Sequence, residues 1–263
     1  MTNTGGLILT ALLAASTGLF QQAEDHLRTL NGYCSIAASA KETEVDLRLE
    51  SGACIGNEHC GSTQTHQPLS AFLGFTLADL RREGAHVDAV IRAEAGTITC
   101  SGAVHDGKLS GAFRFVPEPA FAARMLQMGY RDLDEEKLQA YTLFRIGIDW
   151  IRSLQSAGVS GMNSANLIAL RIFHADPDYV HSLNALGYPA PDAEKLVALR
   201  VHRVDADEVK QIRALGYQPT LDELIQMRIF NITPAFIHRM QARGLENLTI
   251  SKLVQIRIFN LAD

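Results

Sequence analysis

No cysteine occurs beyond position 100 of this 263-residue chain; the four present are Cys34, Cys54, Cys60 and Cys100. Everything after that point folds without disulfides or thiolate metal ligands. The zinc-peptidase HExxH, the GxSxG nucleophile elbow, the phosphate-binding P-loop and the GxGxxG dinucleotide fingerprint are all missing. Their absence lowers the expectation of catalysis without ending it, because triads also assemble from distant residues. A basic surplus is missing too. Residues 117–263 hold 16 Lys+Arg against 17 Asp+Glu and the rest hold 8 against 12, so the two parts carry net charges of −1 and −4. A nucleic-acid binder normally shows a basic stripe or excess, so no nucleic-acid partner is expected. The apolar stretch Leu7–Ala15 is too short to span a bilayer as a helix, which argues against an integral membrane protein.

What the chain does have is a repeat. Gly129, Gly158, Gly187, Gly216 and Gly244 recur at steps of 29, 29, 29 and 28 residues. Leu138, Leu167, Leu196, Leu224 and Leu253 keep the same phase. Each copy reads as two short helices. The first opens on Asp176, Asp205 or Thr233, followed in two of the three copies by proline at the first helical position, and stops at the glycine. The second is capped by Asp134, Asn163, Asp192, Thr220 or Thr249, with Thr220 and Glu223 spelling a capping box. Because "LVQIRIF" is apolar on nearly every side, the second helix is expected to be the buried one of each pair. A two-helix unit cannot bury its own apolar faces, so the copies must stack. Residues 117–263 are therefore read as an all-α array of five two-helix repeats. Its last helix is as apolar as the internal ones, which predicts packing against another subunit, a partner or the N-terminal domain.

The first part is a different object, so the fold class is α+β. "TEVDLRLE" and "HVDAVIRAE" alternate like strands, and "GTITCSGAVHDGKLSGAFRFV" reads as a hairpin turning at Asp106-Gly107. Gly102 and Gly111 inside it predict bulges or close backbone approach. "TLADLRREG" (76–84) reads as one short helix, and Pro119 opens the first repeat. The domain reading is a candidate signal peptide at 1–23, a β-rich domain with one short helix at 24–116, and the array at 117–263. The N-terminal stretch has a signal-like apolar core and an Ala14-Ala15-Ser16 cleavage candidate, but no preceding basic residue. Export is the favoured reading, a cytoplasmic location the alternative. The even cysteine count fits an oxidising compartment, with pairs such as Cys54–Cys60 and Cys34–Cys100 among three connectivities.

Chemistry-bearing clusters are few. Cys54, His59 and Cys60 have the wrong spacing for a structural zinc site, so a disulfide is preferred there and no metal is expected. No cofactor is expected. An arginine recurs in the second helices as Arg171, Arg200, Arg228 and Arg257, with Thr142 in the first copy. Stacked repeats would align these guanidinia into a ladder able to bind a carboxylate, phosphate or acidic peptide. The plainer reading, which is preferred, is that each satisfies helix C-terminal carbonyls or pairs with a cap such as Asp176 or Asp205. Phe121, Trp150, Tyr179 and Phe236, interrupted by Glu208, stand eight residues before their glycines and read as inter-repeat packing. Tyr130, Tyr188 and Tyr217 follow glycines and read as hydrophobic helix-stop contacts.

The pattern GY-x-x-(T/L)-x-x-x-L-(I/V)-x-(L/M)-R-(I/V), followed by (I/V)-(T/D)-P-x-(F/Y)-(I/V), resembles the C-terminal helical repeats of some bacterial antirepressor-type metallopeptidases of the β-lactam-sensing class. "AGTITCSGAVHDGKLSGAFRFVPEPAF" is similar to the β-rich segment leading into them, so the resemblance covers roughly residues 70–263. The zinc helix and the membrane spans of that family are absent, so no peptidase activity carries over. The resemblance implies a bacterial, extracytoplasmic accessory module. The function expected is a non-enzymatic protein-interaction or sensor module. The alternatives are a hydrolase with a site between the domains, built from His86, His105 and Asp106, or an anionic-ligand sensor using the arginines.

Overall fold

The computed structural model describes residues 27–51, 61–189, 191–245 and 248–259. Cys54, His59 and Cys60, like the candidate signal peptide, lie outside the described residues. The α+β class is observed: a curled antiparallel sheet precedes a run of helices. The strands are β1 (Leu30–Ala38), β2 (Glu44–Ser51), β3 (Ser62–Pro68), β4 (Phe72–Leu73), β5 (His86–Ala93), β6 (Gly96–His105) and β7 (Lys108–Pro117). Their order is β3-β2-β1-β7-β6-β5-β4, so two meanders meet where the first strand pairs with the last. The β6–β7 turn has Asp106 and Gly107 both at positive φ, 50° and 73°, the requirement of a two-residue type I′ hairpin.

Alternation places Ile36, Leu47, Leu49, Ile98, Leu109, Phe113 and Phe115 on the inner face, each at most 2% exposed. Gly102 and Gly111 pair directly, in a register unbroken from Gly96↔Pro117 to His105↔Lys108. No bulge exists here; the glycines serve close approach. A Cβ on Gly102 would lie 2.1 Å from the Ser110 carbonyl oxygen, and one on Gly111 2.1 Å from that of Ser101.

Cys34 on β1 and Cys100 on β6 form a disulfide, with Cα atoms 5.9 Å apart. These strands are not neighbours. In a flat sheet next-but-one strands lie about 9.6 Å apart, so the sheet folds sharply about β7. Gly111, the partner of Cys34 on β7, has no side chain to obstruct the crossing.

The expected helix at 76–84 reduces to a single 3₁₀ turn, Asp79–Arg81. The Asp79 carboxylate accepts from the Thr76 amide and hydroxyl, both at 2.9 Å, while Gly84 turns left-handed at φ 71°. These two local stops leave no room for a second turn. Strands β1, β3 and β4 lie outside the strands expected from the sequence. "STQTHQP" has no apolar alternation, and only its pairing with β2 makes it a strand.

The helices are α1 (Pro119–Gln127), α2 (Glu135–Phe144), α3 (Ile148–Ser156), α4 (Ser164–Ile172), α5 (Pro177–Ala185), α6 (Ala193–Val201), α7 (Ala206–Ala214), α8 (Leu221–Ile229), α9 (Pro234–Ala242) and α10 (Ile250–Ile258). They form five pairs in the phase of the repeat. Strand gives way to helix at Pro117–Pro119, but the chain divides into compact units after Ile148. The first helix pair thus belongs to the sheet's unit, because α2 packs on β5, β6 and β7. Phe121 meets Tyr141 edge-on at 6.2 Å, and Arg145 donates to the Ser70 carbonyl at 3.2 Å.

In the second unit the even-numbered helices α4, α6, α8 and α10 pack successively on one another. Asn163, Asp192, Thr220 and Thr249 each accept from the amide three residues on, and the Thr220–Glu223 capping box is complete. The glycine stops are left-handed, for example Gly187 at 79°, with the Tyr188 amide bonded back to the Leu183 carbonyl at 3.1 Å. Burial corrects one expectation. The even helices hide only part of their apolar surface: Leu196 and Leu199 are fully buried while Val201 is half exposed.

Candidate functional site

The four arginines of the ladder line one side of the second unit, and each is engaged by its own repeat. Arg171 lies 5.1 Å over the Trp150 ring and donates to Asp176 at 2.9 Å. The Trp150 indole N–H donates to the same Asp176 oxygen, also at 2.9 Å. Arg200 lies 4.9 Å over Tyr179 and Arg257 4.0 Å over Phe236. Arg228 has no aromatic beneath it, because Glu208 takes that place; its Nη1 donates to the Glu208 carboxylate at 2.8 Å.

A second contact runs backward along the array. Arg200 donates to the Phe173 carbonyl at 3.0 Å, Arg228 to that of His202 at 3.1 Å, and Arg257 to that of Asn231 at 3.2 Å. Each acceptor is at the C-terminal end of the preceding even helix, where carbonyls lack intrahelical partners and the dipole favours a cation. The guanidinium therefore joins a π-face or carboxylate of its own repeat to the helix end of the one before. That arrangement suits a repeat-to-repeat clip. Arg171 pairs with Asp176 as read from the sequence, whereas Arg200 binds a carbonyl and no ion pair joins it to Asp205. Between these layers the Tyr179 hydroxyl donates to the Val204 carbonyl at 3.0 Å, and burial pushes its pKa up to about 12 against the opposing pull of Arg200.

Next to each clip stands an aliphatic residue with nothing over it. Ile172, Val201, Ile229 and Ile258 follow the four arginines in sequence and are 43, 46, 53 and 51% exposed. Phe173 and Phe259 extend the row, the latter 67% exposed. Sequence reasoning missed this row because it assigned "LRIF" and its copies to the interior. The signal was present: within a nine-residue helix, positions one, four and seven form one buried face, as Ala193, Leu196 and Leu199 do, and position nine falls outside it.

The residues considered for hydrolysis lie on the outer face of the sheet. The His86 Nε2 is 3.1 Å from Ser101 Oγ, and that hydroxyl donates to Asp88 at 2.5 Å. This order is wrong for nucleophilic catalysis, where the base must accept the serine proton and the acid must orient the base. His86 and Asp88 are 70% and 62% exposed, so nothing desolvates them. His105 contacts Glu83 at 2.9 Å, and the Asp106 amide donates to the same carboxylate. Among the described residues no group of three or more His, Cys, Asp and Glu is placed to hold a metal, and no helix is long and apolar enough to cross a membrane.

No protein-family model, curated protein or solved structure matches the chain.

Proposed function

We propose that this chain is a non-enzymatic protein-interaction module whose helical-repeat surface binds another polypeptide, a second copy joined through α10 being its first partner. The observation that carries the reading is the exposed row Ile172, Val201, Ile229 and Ile258, with Phe173 and Phe259. Scattered exposed aliphatics are ordinary; the same half-exposed β-branched position in four successive repeats is a built surface. The row is most exposed at the end of the array, where Phe259 caps it, which favours self-association through that end. The Cys34–Cys100 disulfide supports an exported location. The resemblance of "LVQIRIF" and its copies to the repeats of antirepressor-type proteins supports a bacterial, extracytoplasmic setting. Neither an anionic-ligand sensor nor a hydrolase is favoured by any arrangement in the described residues.

Light scattering over a concentration series tests the proposal, with Ile258→Asp as the comparison. The expected result is a concentration-dependent dimer that the substitution converts to monomer while helical circular dichroism is unchanged. A monomer at every concentration would reject self-association.

A further inference from the structure

The array contains its own template for a ligand site. Where the third and fourth repeats meet, the buried Tyr188 hydroxyl donates to the Pro219 carbonyl at 2.6 Å. The Arg213 guanidinium lies 4.6 Å over the Tyr188 ring and donates to the Leu186 carbonyl. A cation thus fills the space beside that tyrosine.

One repeat later the same elements recur without the cation. Tyr217 stands for Tyr188, Leu215 for Leu186 and Leu248 for Pro219, each 29 residues on, but the neutral Gln241, three residues before Gly244 as Arg213 is before Gly216, stands where Arg213 did. A cleft of about 410 Å³ opens there, lined by Leu215, Tyr217, Gln218, Glu223, Gln241 and Leu248 among others. The Tyr217 hydroxyl makes no hydrogen bond among the described residues to match that of Tyr188. Burial of the ring raises its pKa. The charge is reversed as well. The repeat position held by Lys195, which pairs with Asp222, is held by Glu223 in the cleft. Glu223 Oε2 accepts from the Thr220 amide at 2.8 Å and from its hydroxyl at 3.1 Å.

We infer that this cleft binds a guanidinium group, the side chain of an arginine, in the manner in which Tyr188 and the Leu186 carbonyl hold Arg213. The tyrosine face attracts a delocalised cation. The carbonyl of Leu215 and the carboxylate of Glu223 provide acceptors for its planar fork, which an ammonium matches less well. The inference deepens the interaction reading in its last step only, since the arginine is either part of a partner polypeptide or a free guanidinium compound.

Titration calorimetry on the full chain distinguishes the outcomes, using acetyl-Gly-Arg-Gly-amide, its lysine counterpart and free arginine as probes. The arginine peptide is expected to bind about tenfold more tightly than the lysine peptide. Gln241→Arg should supply the missing cation internally, abolish binding and raise the melting temperature. Glu223→Gln retains the capping contacts and should weaken binding several-fold. Equal binding of both peptides, or undiminished binding to Gln241→Arg and Glu223→Gln alike, overturns the inference. Binding of free arginine as tightly as the peptide upholds the cleft but assigns it to a small molecule. Failure of every probe overturns the cleft and leaves self-association to its own measurement.

Discussion

Arg228 reaches Glu208, Nη1 to Oε2 at 2.8 Å, at the one place in the second unit where the repeat's aromatic is replaced. The side chains are 32% and 18% exposed, so the pair lies between a surface bridge and a buried one. The neighbouring copies solve the same problem with Trp150, Tyr179 and Phe236. Carboxylate and π-face are thus interchangeable partners for one guanidinium.

Glu208→Ala is therefore expected to cost about 2 kcal/mol, because it leaves Arg228 half-buried with only the His202 carbonyl. Glu208→Tyr should recover most of that loss by restoring the stack. Urea denaturation of the two variants decides the matter: equal stabilities would show that the position below the arginine is indifferent. In the Glu208→Tyr background Arg228 should also become less salt-sensitive, since an ion pair has been exchanged for a cation–π contact.

The Cys34–Cys100 bridge closes a loop of sequence separation 66 and should stabilise the sheet by up to about 4 kcal/mol through the unfolded chain. Cys34→Ala with Cys100→Ala, or reduction, is expected to lower the urea midpoint accordingly. Gly111→Val should be worse than losing the bridge, because its Cβ would sit 2.1 Å from the Ser101 carbonyl oxygen in a strand register with no slack. A Gly111→Val protein as stable as the parent would refute the account of how the sheet folds about β7.

Alkaline pH offers a probe of the clip. The folded pKa of Tyr179 is about 12 against an ordinary value of 10.0, raised chiefly by burial. Above pH 10 the unfolded chain loses this proton first, so unfolding is favoured as pH rises. Stability from Tyr179 is fully present below pH 10 and is lost between pH 10 and pH 12. Tyr179→Phe should make that part of the stability profile less steep, leaving the share of the other buried tyrosines such as Tyr217, measured by urea midpoints at fixed ionic strength. A profile with the same slope in both proteins would remove Tyr179 from the cause.

The repeat was legible because its punctuation is local. Glycine stops and N-caps act within one helix turn, so Gly187 and Thr220 state their roles without knowledge of their surroundings. The arginines and the aromatics were each visible as a periodic series, but that they meet, as Arg171 over Trp150 and Arg200 over Tyr179 do, is seen only in the structure. What was hidden depends on partners far away in sequence. Strand β3 is a strand because β2 offers it an edge. The first helix pair joins the sheet's unit because α2 finds an apolar surface on β5, β6 and β7. The exposed row was hidden for a different reason: composition identifies an apolar helix, whereas exposure depends on which neighbours happen to be nine ångströms away (about one helix diameter).

The second helix of a repeat ends on a left-handed residue that is not glycine. Arg145, His174, Arg203 and Asn231 have φ of 53, 54, 54 and 53°. In each case the next amide bonds back five residues, Val204 to the Leu199 carbonyl at 2.9 Å for instance, which is the Schellman closure. A side chain in this conformation costs about 1 kcal/mol, less for asparagine. Glycine would relieve it, partly offset by the greater freedom of the unfolded chain. Arg203→Gly and His174→Gly are thus expected to stabilise by about 0.5 kcal/mol each, Asn231→Gly to be near neutral, and Arg145→Gly to gain nothing because it loses the bond to the Ser70 carbonyl. Thermal denaturation of the four variants checks the ordering. If Arg203→Gly destabilises instead, the exposed side chain beside the aliphatic row has a structural role that its geometry does not reveal, and the left-handed stop is retained for that contact rather than despite its strain.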